Sequence, residues 1–395
     1  MSEESPPSPD FDANVAEDFD SPHAVFKDLR ARCPVAYSDA MGGFYAATKY
    51  DDIVRVLTDW ETFTTRIQNV VPRVATTQRR PPLHLDPPGN KPYRNAITRL
   101  LTPAKLAVWR DKIEAMTAEL LEPLVARGEG DICRDFSFIL PIAILAEFFR
   151  LPPHNAKRIR VVGSEFNMAL QRRDDAQVRL YSDELYGIAR DLIEDRKAHP
   201  QDPEVDPISS LLDVRVDGAP LPDAMILGAL RQFLMVGIVA PTTFIGSMVV
   251  HLARHPEHHT LVRNDNSLVP AAVEEMLRLY TPYRGFARTA THDVCLGERM
   301  IRKGDVVAAV FTSGNRDEGV FPDADTFDLN RPRSDLLTFG RGPHACPGAP
   351  LARLQLEVAL EHIVNRTRRI TITGPMEMTT WPEYGPLVVP ISIER

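Results

Sequence analysis

One cysteine lies in a loop whose composition is unlike that of an ordinary turn. Residues 339–348 contain three glycines and two prolines together with His344 and Cys346. This composition forces an irregular backbone, and the helical pattern that begins at residue 349 places Cys346 at the mouth of a helix. The dipole and free N–H groups of a helix N-terminus stabilise a thiolate. Such a thiolate could ligate haem iron or act as a nucleophile. The third interpretation, an inert buried thiol, would need neither the glycines nor His344.

A long apolar segment is the second feature that could position chemistry. No charged residue occurs in the 18 residues from Phe233 to Val250. Gly237, Pro241 and Ser247 interrupt it, which favours a buried central helix over a membrane span. Pro241 has no N–H to donate to the carbonyl of Gly237, so we expect a kink there and a carbonyl free to hold a water.

Helices dominate the rest of the sequence, and strands are short. Apolar periodicity predicts helices at about 24–31, 50–58, 91–101, 104–126, 138–148, 154–170, 177–198, 222–254, 268–279 and 349–365. Strand patterns are confined to Val35–Ser38, Gly43–Ala47, Val294–Leu296, Asp305–Val310 and Leu387–Glu394. The sequence therefore predicts a mainly α fold with small β-sheets. It contains neither a dinucleotide-binding nor a P-loop glycine motif.

Composition excludes several classes of protein. The 395 residues are 44% hydrophobic and carry a formal net charge of −8, which argues against a nucleic-acid coat. The four cysteines are widely separated, so we expect no disulfide framework and no zinc knuckle. Residues 1–22 are acidic and rich in Pro and Ser, unlike a signal peptide, and we expect a loosely ordered arm there.

The cysteine loop resembles the haem-binding loop of the cytochrome P450 family, the thiolate-ligated haem monooxygenases. The family pattern is Phe-Gly-x-Gly-x-His-x-Cys-x-Gly, and its positions are filled here by Phe339, Gly340, Gly342, His344, Cys346 and Gly348. The resemblance implies a haem b (iron protoporphyrin IX) whose axial metal ligand is Cys346. It also implies that Phe339 packs beside the thiolate and that His344 reaches a haem propionate.

Further segments match the family. Glu275-Met276-Leu277-Arg278 resembles its Glu-x-x-Arg helix, and Phe327 to Arg331 resembles its meander, which implies a buried structural triad of Glu275, Arg278 and Arg331. Residues 85–94 resemble the entry to a helix at the haem edge, with Asn90 where the family usually has His. The resemblance places Arg94, Arg288 and Asn90 around the cofactor, with both arginines on propionates.

The central helix departs from the family pattern. Most relatives carry an acid and an alcohol that relay protons to bound dioxygen, and the family's spacing aligns these positions with Val239 and Ala240, after Gly237. A shifted register would bring Thr242 or Thr243 to the haem instead. Two hypotheses follow: a reductase-driven monooxygenase using water held by Gly237 or a polar group of the substrate, or a peroxygenase that uses hydrogen peroxide.

The substrate pocket is also inferred from the resemblance. It implies contacts from Val236, Phe166 and the strand residues Arg284, Gly285 and Phe286, most of them apolar, which fits a small lipophilic molecule. Arg284 either faces solvent or a propionate, or orients a substrate carboxylate through a forked hydrogen bond.

The resemblance covers residues 23–395 as one P450 domain, with haem between the long distal helix and the cysteine loop. It implies a cytoplasmic monooxygenase that uses O2, a ferredoxin, a ferredoxin reductase and NAD(P)H, and that binds neither nucleic acid nor membrane. A basic docking face for the ferredoxin is expected at Lys91, Arg94, Arg99, Lys105, Arg110, Arg341 and Arg353. A haem-based sensor or binding protein is the alternative from another class.

Overall fold

The computed structural model describes residues 7–14, 18–74 and 78–395. Helices make up most of the fold, as the periodicity predicts. In chain order they are α1 (Ser21–Arg32), α2 (Tyr50–Thr58), α3 (Lys91–Thr98), α4 (Pro103–Leu106), α5 (Arg110–Arg127), α6 (Leu140–Phe148), α7 (Pro153–Gln171), α8 (Asp175–Ala198), α9 (Pro207–Asp213), α10 (Asp223–Arg254), α11 (Pro256–Asn264), α12 (Val269–Leu279), α13 (Phe311–Gly314) and α14 (Ala349–Arg366).

The strands are short, and most of them join distant parts of the chain. They are β1 (Val35–Ser38), β2 (Phe44–Ala47), β3 (Phe63–Thr64), β4 (Glu129–Asp131), β5 (Arg215–Val216), β6 (Ala219–Pro220), β7 (Gly285–Ala290), β8 (Val294–Leu296), β9 (Arg299–Ile301), β10 (Val306–Val310), β11 (Arg369–Ile372), β12 (Glu377–Met378), β13 (Pro386–Val388) and β14 (Pro390–Glu394). The largest sheet has the order β1-β2-β10-β7-β3. It thereby fixes β7, which carries Arg288, against the N-terminal strands.

The central helix α10 runs through the core for 32 residues. It is long and apolar enough to cross a membrane, but 83% of its most apolar stretch is buried inside the protein. It continues through Pro241 without a break. The Thr242 hydroxyl donates to the carbonyl of Val239 at 2.6 Å, which gives this part of the helix a side-chain hydrogen bond.

Several residues of the described N-terminal arm pack against the domain, whereas a loosely ordered arm was expected for residues 1–22. Phe19 is 1% exposed and its ring packs at a tilt against Tyr280, with ring centroids 5.1 Å apart. The Asp10 carboxylate lies 2.7 Å from Arg299 and also accepts from the N–H of Tyr37. An acidic and Pro-rich composition did not reveal these apolar and ionic contacts.

Candidate active site

The loop before α14 holds Cys346 in a fixed turn. Gly340 and Gly342 have positive φ angles of 69° and 68°, a region that favours glycine. A Cβ atom on Gly342 would also lie 2.9 Å from the carbonyl oxygen of Leu57. The N–H of Cys346 donates to the carbonyl of Phe339 at 2.7 Å, which closes the loop. The glycines therefore set the position of the sulfur.

Opposing effects act on the Cys346 thiol. Cys346 is exposed, yet enough protein surrounds its thiol that burial raises the pKa. The backbone N–H groups of Gly348 and Ala349, and the charges of Arg94 and Arg353, lower the pKa. These donors are the ones a thiolate needs. Arg353 also lies over the Phe339 ring, 4.4 Å from its centroid.

Three cationic or polar side chains surround the same loop. Arg94 donates to the carbonyl of Ala345 at 2.7 Å, and His344 Nε2 lies 3.3 Å from the Thr65 hydroxyl. Arg288 is buried, and among the described residues its guanidinium donates only to the adjacent carbonyl of Ala287. Burial is the main cause that lowers the pKa of His344 to about 3, and the positive charges of Arg288 and Arg94 act in the same direction. In the described part of the chain neither Arg94 nor Arg288 forms an ion pair with a carboxylate, although the charge of Asp86 opposes the lowering of the Arg288 pKa by burial.

Asn90 lies at the edge of this cluster. Its Nδ2 donates to the carbonyl of Pro343 at 3.2 Å and ties the start of α3 to the cysteine loop. Its Oδ1 is buried without a partner among the described residues. The residue therefore positions the loop and keeps one acceptor unused.

The structure joins Glu275, Arg278 and Arg331. Arg278 donates to both carboxylate oxygens of Glu275 at 2.9 and 2.7 Å, and Arg331 Nε donates to Glu275 at 3.2 Å. Arg278 also donates to the carbonyls of Asn315 and Ala324. This network fixes α12 to the segment that leads into the cysteine loop.

In the middle of α10, one side of the helix is less buried than the others. Val236 is 51% exposed, and Gly237 and Ala240 are half-buried. Val239 and Thr242 are 5% and 4% exposed, and the Thr242 hydroxyl is bonded within the helix. The structure thus places Thr242 away from the Val236 and Ala240 side, whereas Thr243, seven residues after Val236 and three after Ala240, lies on that side of the helix. Which of these residues faces the haem stays a prediction. Gly237 packs on α6, where a Cβ would lie 2.6 Å from Leu145 Cδ1.

Comparisons with known proteins agree on one family. The cytochrome P450 family model matches residues 170–380. Cyclomarin C epoxidase from Salinispora arenicola is 30% identical over 360 residues, which cover 89% of this chain and 90% of that protein. Linalool 8-monooxygenase from Pseudomonas putida is 29% identical and covers 89% and 90%. The solved structure of cytochrome P450 CYP109Q5 from Chondromyces apiculatus superposes with a TM-score of 0.86, at 30% identity, over 97% of this chain and 98% of that one.

The chain belongs to the cytochrome P450 family. Its fold and its class as a monooxygenase are therefore those that the cysteine loop predicted. The family implies a haem-iron cofactor, and the residues present fit one. A single thiol with two backbone N–H donors lies beside the cations Arg94 and Arg288 and the neutral imidazole of His344, a set of groups that suits an iron porphyrin with two carboxylates.

The residues at the start of β7, which follows α12, differ in how they pack. Tyr283 and Phe286 are half-buried, with ring centroids 4.8 Å apart. Gly285 is buried, and a Cβ there would clash with the backbone of Ala309 on β10. Gly285 is therefore needed for strand packing, and its expected place in the substrate pocket stays a prediction.

Arg284 requires a correction. It is 2% exposed, so it does not face solvent. Its Nε donates to the carbonyl of Glu383 at 2.8 Å and its Nη2 to the carbonyl of Thr379 at 3.1 Å. Two of its donors thus hold the C-terminal loop rather than a substrate carboxylate.

Phe166, another residue expected in the substrate pocket, is buried beneath the guanidinium of Arg231.

Sequence reasoning missed three residues near these elements. Arg80, Arg231 and His84 are brought together from the loop before α3 and from α10, and no motif contains them. The signal available was the rarity of an arginine inside an apolar helix, since buried arginines are uncommon without a role.

Proposed function

We propose that this P450 uses haem b and electrons from a separate ferredoxin to insert one oxygen atom of O2 into a small, mostly apolar substrate. The other oxygen atom leaves as water, with two protons and two electrons consumed. The observation that supports this most is the thiol of Cys346, which receives two backbone N–H groups beside Arg94, Arg288 and His344. When bound, the haem iron supplies the activation of oxygen, which no protein side chain can provide.

This chain's residues have separate roles in the proposal. Cys346 holds the iron, and Arg94, Arg288 and His344 hold the propionates. Val236 and Ala240 form the wall of α10 beside the reacting carbon, together with Phe286. Apolar walls keep water away from this region.

One spectrum tests the cofactor and its ligand. The reduced carbon monoxide complex of the haem-loaded protein should absorb at about 450 nm if a thiolate is the ligand. Cys346→Ser should lose that band, and Cys295→Ser, which changes an exposed cysteine elsewhere, should retain it. A native protein without the band would refute thiolate ligation.

A peroxygenase is the second candidate, and the side chains of α10 favour it. The less buried side of the helix presents Val236, Gly237 and Ala240, none of which carries an acid or an alcohol. A water on the Gly237 carbonyl or a polar group of the substrate would have to deliver protons in the reductase-driven reaction. Turnover with hydrogen peroxide alone, compared with turnover by ferredoxin, its reductase and NADPH, separates the two functions.

The sensor hypothesis is tested by the same panel. A haem protein that binds ligands tightly and oxidises none of them under either condition would be a sensor or binding protein. The named relatives, an epoxidase and a monooxygenase, support an enzyme. We place that enzyme in the cytoplasm, because α10 is a core helix and the described cysteines are free.

A further inference from the structure

We propose that Arg80 and Arg231 form an anion-binding site that holds the carboxylate of the substrate. This inference rests on the proposed function, since it names the class of molecule that the enzyme oxidises. It also replaces the role that the sequence suggested for Arg284.

Arg80 is a buried cation whose side chain is unpaired within the described part of the chain. Its side chain is 7% exposed, and it forms no hydrogen bond or ion pair with any residue in the described ranges. Its Nε is fully enclosed. Buried charges are costly unless they are paired, so proteins retain such a group where a ligand completes it.

Arg231 lies next to Arg80 and is almost as poorly satisfied. It is 1% exposed, and Nη2 donates to the Ser182 hydroxyl at 3.2 Å. Its guanidinium lies over the rings of Phe166 and Tyr186, at 4.9 and 5.8 Å from their centroids. Nε has no partner within the described chain. The two rings hold the guanidinium in place while leaving part of its hydrogen-bonding capacity unused.

No carboxylate in the described part of the chain compensates these charges. Burial, together with the neighbouring charge of Arg80, lowers the pKa of Arg231 to about 9. Burial, with Arg80 and Arg231, lowers the pKa of His84 to about 4. The nearby Tyr186 hydroxyl is buried without a hydrogen-bond partner among those residues and could donate to an anion. The surroundings thus favour a negative ligand.

A cationic cavity adjoins the pair. Its described lining contains Arg66, Arg73, Arg79 and His84 and no acidic residue. His84 connects the cavity to the buried pair, because its Nδ1 accepts from the N–H of Arg80 at 3.3 Å. Within a protein of net charge −8, this concentration of positive charge would attract an anion.

The site lies at a useful distance from the proposed reaction centre. Arg231 is five residues before Val236 and nine before Ala240 on α10, which at the helical rise corresponds to about 7 to 14 Å along the axis. Arg231 is also turned by about 140° and 180° around the helix axis from these two residues. A substrate held by the arginines must therefore span this length and pass around the side of α10 to bring a carbon beside Val236 and Ala240. An apolar acid of that length is the substrate class that fits.

Binding of matched acids and esters tests the proposal. The haem-loaded protein, without reductant, is titrated by calorimetry with octanoic, decanoic and dodecanoic acids and with their methyl esters. We expect at least one acid to bind at least about tenfold more tightly than its ester, because the carboxylate forms charge-assisted hydrogen bonds that the ester cannot. A panel in which no acid exceeds its own ester overturns the proposal.

Variants separate ligand binding from structure. Arg80→Met and Arg231→Met should reduce the acid-over-ester ratio to about twofold or less, while Arg190→Met, on the exposed side of α8, should leave it unchanged. Because the Arg80 side chain has no partner among the described residues, Arg80→Met should raise or preserve the melting temperature. A lower melting temperature with an unchanged ratio would show that Arg80 is structural and would overturn the proposal.

The outcome of the acid and ester titration does not depend on whether the proposed oxidation takes place. The titration needs no turnover, so a protein that lacks the band at about 450 nm refutes thiolate ligation without altering the acid-over-ester ratio. A protein with that band and no preference for acids refutes only the anion site.

Discussion

Pro347 follows the proposed iron ligand directly and has no N–H to donate to its sulfur. The described donors to the Cys346 sulfur are the N–H groups of Gly348 and Ala349. Fewer hydrogen bonds leave more negative charge on a ligating sulfur, and this stabilises ferric over ferrous iron. Pro347 also suits the start of a helical turn, so its electronic and conformational roles can coexist.

Pro347→Leu should therefore raise the reduction potential of the bound haem. A hydrogen bond to a charged group contributes about 1.5–3 kcal/mol, and a fraction of it corresponds to tens of millivolts for one electron. Spectroelectrochemical titration measures the change. Pro347→Ala restores the same N–H with a smaller side chain, so both variants should shift in the same direction. An unchanged or lower potential in both would show that the missing N–H does not tune the haem.

Some residues of the site could be predicted from the sequence, and others could not. Cys346 and the glycines around it follow from local backbone requirements, which a ten-residue pattern records. The role of Arg284 does not, because its acceptors are the carbonyls of Thr379 and Glu383, about a hundred residues away. The Arg80 and Arg231 pair was missed for the same reason.

At the scale of elements, α12 is fixed by the carboxylate of Glu275. This group is 4% exposed and accepts from Arg278, Arg331 and the N–H of Asp328. Removal of one partner from a buried ion pair leaves an uncompensated charge, which costs about 3–5 kcal/mol.

Glu275→Gln should lower the free energy of unfolding by about that amount, measured by urea denaturation. Glu122→Gln is the control, because Glu122 is exposed and its ion pair with Arg366 is long, at 3.8 Å. A loss of stability in Glu275→Gln no greater than in the control would mean that the triad does not hold the meander.

The C-terminal loop contains a second buried carboxyl. Glu383 is 4% exposed and accepts from the Gln171 amide at 2.5 Å. Burial raises its pKa from 4.5 to about 8, although Gln171 and Arg284 act in the opposite direction. The folded state therefore favours the protonated form. Its stabilising effect is fully present below pH 4.5 and is lost as pH rises towards about 8.

Glu383→Gln should stabilise the protein increasingly with pH, since glutamine resembles the protonated acid. Relative to the native protein, the gain should be small at about pH 5 and should grow by at most about 1.4 kcal/mol per pH unit up to about pH 8. Thermal unfolding at several pH values measures it. A difference between the two proteins that does not vary with pH would contradict the raised pKa.

Helices were easier to predict than strands because their apolar pattern is local. The helix predicted at 50–58 agrees with α2 at both ends. The helix predicted at 104–126 is divided by a 3-10 turn at Ala107–Trp109. The short α9 and the strand β7 were absent from the periodicity analysis. A seven-residue helix shows barely two turns of pattern, and β7 depends on pairing with β10 and β3.

At the scale of the whole molecule, the expected ferredoxin-docking face is less basic than its cations alone suggest. Five of the seven cations predicted there, Arg99, Lys105, Arg110, Arg341 and Arg353, form ion pairs with carboxylates. Those carboxylates belong to Glu204, Asp213, Glu114, Glu361, Asp335 and Glu274. The region thus contains six carboxylates beside its seven expected cations, so it adds little to long-range attraction of an acidic ferredoxin.

Turnover under limiting ferredoxin should accordingly depend only weakly on salt. Strong electrostatic steering raises association rates by about tenfold or more and falls steeply with ionic strength, whereas paired charges produce a weak field beyond the Debye length. We expect the rate to fall by less than about threefold between about 20 and 200 mM salt. Saturating ferredoxin provides the control, because the rate there no longer reports association. A fall of tenfold or more that appears only under limiting ferredoxin would show that the cations at this face act as an open basic patch despite their partners.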